Sequence, residues 1–208
     1  MEHKPGEGSA VTWSACARYE IAPAPAGLAL VHDFVNTIST GRPREIDLLG
    51  RLPDAQAWLD RALATWAARS GQSAAPVRLA AHDLEELVGL RSELLQLLEP
   101  RVGGGGHDAP AVHVAAAAIR LDRGGQAVLE PRGQGWRYFA AVVLLEVFQA
   151  QQAGAWRRLK ICRNTRCGAA FYDSSRNNSA VWHSAKLCGN PENLRAHRAR
   201  QRARTSES

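Results

Sequence analysis

The chain has 208 residues, of which 45% are hydrophobic, and its formal net charge at pH 7 is +6. That length has room for one modest globular domain and a small appended module. No apolar run is long enough to span a bilayer, and the N-terminus lacks the basic start and apolar stretch of a signal peptide. We therefore expect a cytoplasmic protein with no membrane partner.

The positive charge is concentrated at the C-terminal end. Residues 156–208 contain 12 Lys and Arg against 3 Asp and Glu, whereas residues 1–155 contain 14 against 17. A basic tail on a mildly acidic body is typical of a protein with a polyanionic partner. A tail that is merely solvated is the alternative.

At the start of the chain, residues 1–25 contain several Pro and Gly and little hydrophobic periodicity. This pattern predicts a disordered leader, and we expect Cys16 within it to belong to no site. A helical domain at residues 26–155 and a basic module at residues 156–208 are then expected to follow.

Apolar residues recur at helical spacing in three segments of the body, which predicts helices at about residues 28–38, 53–70 and 83–98. The third apolar stripe encloses Arg91. A buried Arg is costly without a carboxylate partner, and Asp33 is our candidate for it. We interpret Arg91 and the adjacent pair His32 and Asp33 as structural rather than functional.

Four consecutive glycines at residues 103–106 predict a break after these helices. A small hairpin is predicted next, with Gly124 and Gly125 at its turn. Residues 138–152 are apolar nearly all round, which predicts a helix in the middle of the core. The chain has no Gly-rich phosphate loop and no serine elbow, so we expect no enzyme.

The basic module contains Cys162, Cys167, His183 and Cys188, in the pattern C-x4-C, fifteen residues, H-x4-C. Thiolate sulfur and imidazole nitrogen are the preferred donors for zinc, and two close pairs can hold one ion from two corners of the chain. Because four protein ligands leave no position for water, the pattern predicts one structural Zn²⁺. His197 is the competing fourth ligand.

The segments around these ligands predict a treble-clef-like zinc finger. Residues 162–168 are typical of a zinc knuckle, residues 170–173 and 180–182 predict two short strands, and a helix is expected from about Pro191. The whole chain is thus predicted to be α+β: a mostly helical N-terminal domain with a small β-hairpin or sheet, followed by this finger.

The predicted C-terminal helix is rich in arginine. Arg195, Arg198 and Arg202 share one face and Arg200 lies beside it, while the knuckle and the following turn contribute Arg163, Arg166 and Arg176. These seven residues predict nucleic-acid binding, and the few aromatics nearby favour DNA over RNA. A solvated tail helix is again the alternative.

These residues resemble a known family. The basic module resembles the CGNR zinc finger. The resemblance lies in residues 159–162, 167–168, 171–177 and 188–190, together with Trp182. Residues 28–37 resemble the opening of the ABATE domain that precedes this finger in a mostly bacterial family, and later landmarks of that domain are similar to residues 47–49, 58–59 and 90–91.

The resemblance implies a stress-related transcription regulator that binds zinc and DNA. It leaves room for a small-molecule effector or protein partner on the N-terminal domain, where Asp33, Asn36 and Arg91 are candidates for a ligand-binding or structural polar cluster. Two positions depart from the family pattern: His183 stands where relatives usually have Cys, and Pro191 where they have Arg. A zinc–thiolate redox switch or a protein-interaction module remains the alternative function.

Overall fold

The computed structural model describes residues 13–41, 44–98 and 114–206. Residues 1–12 of the predicted leader and the predicted break at 103–106 lie outside the described residues. The helices of the N-terminal part are α1 (Ser14–Ala17), α2 (Leu28–Val35), α3 (Leu52–Ser70), α4 (Asp83–Leu98) and α5 (Trp136–Gln152). No helix within the described ranges has the length and apolar character needed to cross a membrane.

Two strands confirm the predicted hairpin. Strand β1 (Ala116–Leu121) pairs antiparallel with β2 (Ala127–Arg132), and Gly125 adopts a φ of +77° in the connecting turn. Glycine reaches this left-handed conformation without the strain that a side chain would impose. The hairpin packs against α5 through β2.

Helix α2 is the centre of the core. All eight of its residues are buried, and Phe34 packs against Trp58 of α3 and Phe139 of α5 at ring-centroid distances of 5.7 and 5.0 Å. Helix α5 lines this core but is not enclosed by it, since Phe148 on its outer side is 49% exposed. The predicted first helix is also shorter than expected, because Asn36 caps it after Val35.

The prediction of a disordered leader is wrong for residues 13–25. Trp13, Cys16 and Tyr19 are buried against the domain, and Cys16 lies within α1. The backbone N–H of Cys16 donates a hydrogen bond of 2.8 Å to the Asp33 carboxylate. The prolines of this segment suggested disorder, but its apolar side chains cover one side of α2.

The expected pairing of Arg91 with Asp33 is also wrong. Arg91 forms two hydrogen bonds of 2.7 Å with the two carboxylate oxygens of Asp47, and a third of 3.0 Å with the Thr37 hydroxyl. Asp33 instead accepts from the Trp58 indole at 2.9 Å and from Cys16. The loop after α2 brings Asp47 to the face of α4 on which Arg91 lies.

The C-terminal module is a finger built on a second small hairpin. After a 3-10 turn (Trp156–Arg158), strand β3 (Leu159–Ile161) pairs antiparallel with β4 (Ala170–Tyr172). A π-helical turn (Ala185–Gly189) then leads into α6 (Asn190–Ser206). The architecture is therefore α+β, as predicted.

One predicted strand of the finger is absent. Residues 180–182 are not a strand, because β4 takes β3 as its partner and the cysteine knuckle forms the connecting turn. Side-chain and isolated backbone hydrogen bonds hold the 180–182 segment: the Asp173 carboxylate accepts from the Ala180 amide at 2.8 Å, and the Arg163 amide donates to the Val181 carbonyl at 3.0 Å.

Candidate metal centre and nucleic-acid surface

Four side chains converge on one point of the finger. The sulfur atoms of Cys162, Cys167 and Cys188 and a ring nitrogen of His183 all lie within 4.8 Å of one another. His183 Nδ1 is 3.3 Å from Cys167 Sγ and 3.5 Å from Cys188 Sγ. Tetrahedral zinc with its usual bond lengths places sulfur and nitrogen ligands about 3.5 Å apart. The predicted set thus fits one structural zinc ion.

Backbone amides in and near the knuckle point at the sulfurs. The amides of Asn164 and His183 bond to the Cys162 sulfur, and the amide of Ala169 bonds to the Cys167 sulfur. The Asn164 carbonyl accepts from the Cys167 amide at 2.7 Å, which closes the tight turn. Hydrogen bonds to an ionised sulfur favour the thiolate form that zinc requires.

The three thiols compete for ionisation. A hydrogen bond from the Cys167 thiol lowers the pKa of Cys162 to about 4, and the same pairing raises the pKa of Cys167 far above its usual range. Burial raises the pKa of Cys188. A divalent zinc ion held by these residues would displace the remaining thiol protons and stabilise all three sulfurs as thiolates.

A capped helical turn presents Cys188 to this cluster. The Ser184 hydroxyl accepts from the Leu187 amide at 3.1 Å at the start of the turn, so Cys188 lies at the positive end of a helix dipole. The next residue is Gly189, and a Cβ at this position would lie only 2.9 Å from Cδ1 of Trp182. The small residue lets the indole pack against the turn that carries the ligand.

Family models match almost all of the described chain. A model of the CGNR zinc finger matches residues 158–201, and a model of the ABATE domain, described as "Putative stress-induced transcription regulator", matches residues 28–155. The chain belongs to the ABATE family. Its basic module is a CGNR zinc finger, as the resemblance implied. No curated protein matches the chain.

The ABATE motif around α2 binds the CGNR finger directly. The Asn36 side chain accepts from the Ala170 amide at 2.9 Å and donates to the Ala170 carbonyl at 3.0 Å. The Ala24 amide donates to Nδ1 of His32, so Nε2 carries the proton and donates to the same Ala170 carbonyl at 3.0 Å. Because β4 carries Ala170, these side chains fix the finger hairpin to the domain core.

A second contact reaches the knuckle itself. The Cys167 carbonyl accepts from the Thr40 hydroxyl and, at 3.2 Å, from the Gly41 amide. Gly168 follows with a φ of +67°, and a Cβ there would lie 3.0 Å from the Thr40 hydroxyl oxygen. The loop after α2 thus bonds to a zinc ligand, so the domain and the metal centre are mechanically connected.

The residues of the predicted polar cluster have structural roles within the protein. Asp33, Asn36 and Arg91 are buried, and their side chains bond to protein groups rather than line one common cavity. Burial lowers the pKa of His32 to about 4 and raises the pKa of Asp33. Burial also acts to raise the pKa of Asp47, but the hydrogen bonds from Arg91 and Leu49 outweigh it, and the net shift is downward.

Sequence reasoning missed Lys160 and Asp173. Lys160 donates to the Asp173 carboxylate and to the Asn178 carbonyl, each at 2.7 Å, and Asp173 also accepts from the Ser175 amide at 2.8 Å. This pair of a half-buried Lys and a buried Asp shapes the loop between β4 and His183. The available signal was a lone Asp in a module that otherwise carries a surplus of cations.

The predicted nucleic-acid residues occupy several surfaces. Six are exposed, namely Arg163, Arg166, Arg176, Arg198, Arg200 and Arg202, whereas Arg195 is half-buried and forms an ion pair with Glu192. Arg166 and Arg195 border a cleft that faces the N-terminal domain. Arg163 borders a different cavity beside the end of α4.

Proposed function

We propose that this protein is a DNA-binding transcription regulator whose zinc-braced finger holds α6 against DNA. The observation that carries the proposal is the exposure of α6. From Arg198 to Arg202 every residue is exposed, and Arg198, Arg200 and Arg202 have no ion-pair partner among the described residues. A helix that is polar on all sides has no apolar face to stabilise it against its own domain.

The positive charges of α6 favour the binding of a polyanion, which would stabilise the helix. Arg198 and Arg202 are four residues apart, and like charges at this spacing destabilise a helix. Phosphates remove that repulsion, and counterion release then favours binding. The 17 residues of α6 span about 25 Å at 1.5 Å per residue, and the major groove of DNA is wide enough to admit an α-helix.

Zinc supports this role by fixing the start of α6. Cys188 lies in the turn that leads into the helix, and the metal joins that turn to the knuckle. The three cysteine residues are at most 6% exposed, which favours a structural role over the redox switch. We propose no catalytic activity, since buried His32 and Asp33 are engaged by backbone and indole groups.

A binding assay on double-stranded DNA tests this proposal. The zinc-loaded chain is compared with Cys188→Ser, and with Cys16→Ala as a control that removes a buried thiol outside the metal cluster. We expect Cys188→Ser to lose both the zinc ion and the DNA affinity, and Cys16→Ala to retain both. Equal DNA affinity of Cys188→Ser and the zinc-loaded chain would refute the role assigned to zinc.

A further inference from the structure

A cavity of about 330 Å³ lies between the N-terminal domain and the finger, against the metal centre. Cys167, His183 and Cys188 form part of its wall, and the first turns of α6 form another part. Its volume is at the lower end of the range for small-molecule sites. A molecule bound there would touch the domain, a zinc ligand and the base of α6 together.

The charges on the two walls of this cavity have opposite signs. The finger contributes Arg166 and Arg195, and the N-terminal domain contributes Glu20 and Glu45. No ion pair within the described ranges joins one wall to the other. Arg195 pairs with Glu192 on its own helix, and the guanidinium of Arg166 and the carboxylates of Glu20 and Glu45 form no ion pair with any described residue.

The third arginine of the cavity does not alter this division. Arg18 belongs to the domain wall, but it donates to the carbonyls of Ile46 and Asn36 at 2.7 Å each, so these donors serve the domain's own backbone. Glu20, on the same wall, is a non-glycine residue with a backbone φ of +55°. That conformation favours glycine, and residues held in it are concentrated at functional sites.

We propose that this cavity binds a small zwitterion, namely a free amino acid or a compound with the same ammonium and carboxylate groups. The carboxylate pairs with Arg166 and Arg195 on the finger, and planar guanidinium groups suit it geometrically. The ammonium group pairs with Glu20 and Glu45 on the domain. Each end of the ligand thereby neutralises a wall whose charges lack a partner across the cavity.

Binding of the zwitterion does not depend on DNA binding, but its consequence for regulation rests on the proposed function. A ligand that bridges the walls fixes the base of α6 relative to the domain. It shifts the affinity for DNA only by as much as its own affinity differs between the DNA-free and the DNA-bound chain. A chain that binds the zwitterion but no DNA would overturn the proposed function and leave this site standing.

Calorimetric titration of the zinc-loaded full chain with the standard free amino acids tests the site. We expect at least one amino acid to bind saturably. Its N-acetyl and carboxamide derivatives, which each lack one charge, should bind at least about tenfold more weakly, because each loses about one charge-assisted contact. Arg166→Gln and Glu45→Gln should each weaken binding to a similar degree. The matched controls Arg69→Gln and Glu85→Gln change exposed charges on α3 and α4, away from the cavity, and should leave it unchanged.

Three outcomes would overturn the proposal. One is the absence of saturable binding by any amino acid to the zinc-loaded chain. Another is equal binding of an N-acetyl derivative, which would identify the site as one for anions alone. The last is unchanged binding by Arg166→Gln and Glu45→Gln, with zinc content and circular dichroism confirming that both variants are folded.

Discussion

Replacing Asn36 with Ala should loosen the finger from its domain. The substitution leaves the buried amide of Ala170 without an acceptor, while the Ala170 carbonyl keeps its bond from His32. An orphaned buried amide costs about 1–3 kcal/mol and a lost hydrogen bond about 1 kcal/mol, so we expect a loss of about 2–4 kcal/mol in the free energy of unfolding. Because β4 adjoins the knuckle, zinc affinity should fall as well.

Urea unfolding of the zinc-loaded chain, with a competitive zinc-chelator titration, measures both effects. Asn177→Ala is the matched control, since this asparagine of the same finger is exposed and should change stability by less than about 0.5 kcal/mol. A loss below about 1 kcal/mol in Asn36→Ala, with unchanged zinc affinity, would refute the reasoning that Asn36 joins the domain to the metal centre.

Three further predictions, tested with four substitutions, use the same unfolding assay. Gly189→Ala should lose about 1–3 kcal/mol because its Cβ meets Trp182, whereas Gly89→Ala, in open space on α4, should gain about 0.5–1 kcal/mol; equal effects would contradict this. Asp47→Ala should lose about 3 kcal/mol by leaving Arg91 buried without its carboxylate, and a loss under 1 kcal/mol would argue against it. His32 is neutral in the fold down to a pH of about 4, but in the unfolded chain it gains its proton near pH 6.5. The free energy of unfolding should therefore decrease as the pH is lowered from about 6.5 to about 4, by up to about 3 kcal/mol. His32→Gln should flatten this slope, and an unchanged slope would count against the assignment.

The metal ligands were predictable because coordination chemistry is local. Donor type and spacing alone identified Cys162, Cys167, His183 and Cys188, and the structure brings these four together. Helices and the first hairpin were likewise predictable from periodicity and turn residues. The α+β class therefore followed from patterns that each extend over a short stretch of chain.

Partners across long sequence separations were not predictable. Arg91 pairs with a residue 44 positions away, and Asn36 binds one 134 positions away. Such contacts depend on how whole elements pack, which no local pattern contains. The same reason explains the segment around Cys16. Its prolines suggested disorder, while the apolar side chains that decide its packing match a surface formed by α2.

The salt dependence of DNA affinity tests the central claim most directly. The zinc-loaded chain is compared with a variant that combines Arg198→Gln, Arg200→Gln and Arg202→Gln, which leaves the metal centre and the cavity untouched. If α6 lies against DNA, the variant binds more weakly, and the slope of log affinity against log salt becomes shallower by about 2–3, since each phosphate contact contributes about 0.9. An unchanged affinity and slope would contradict the account.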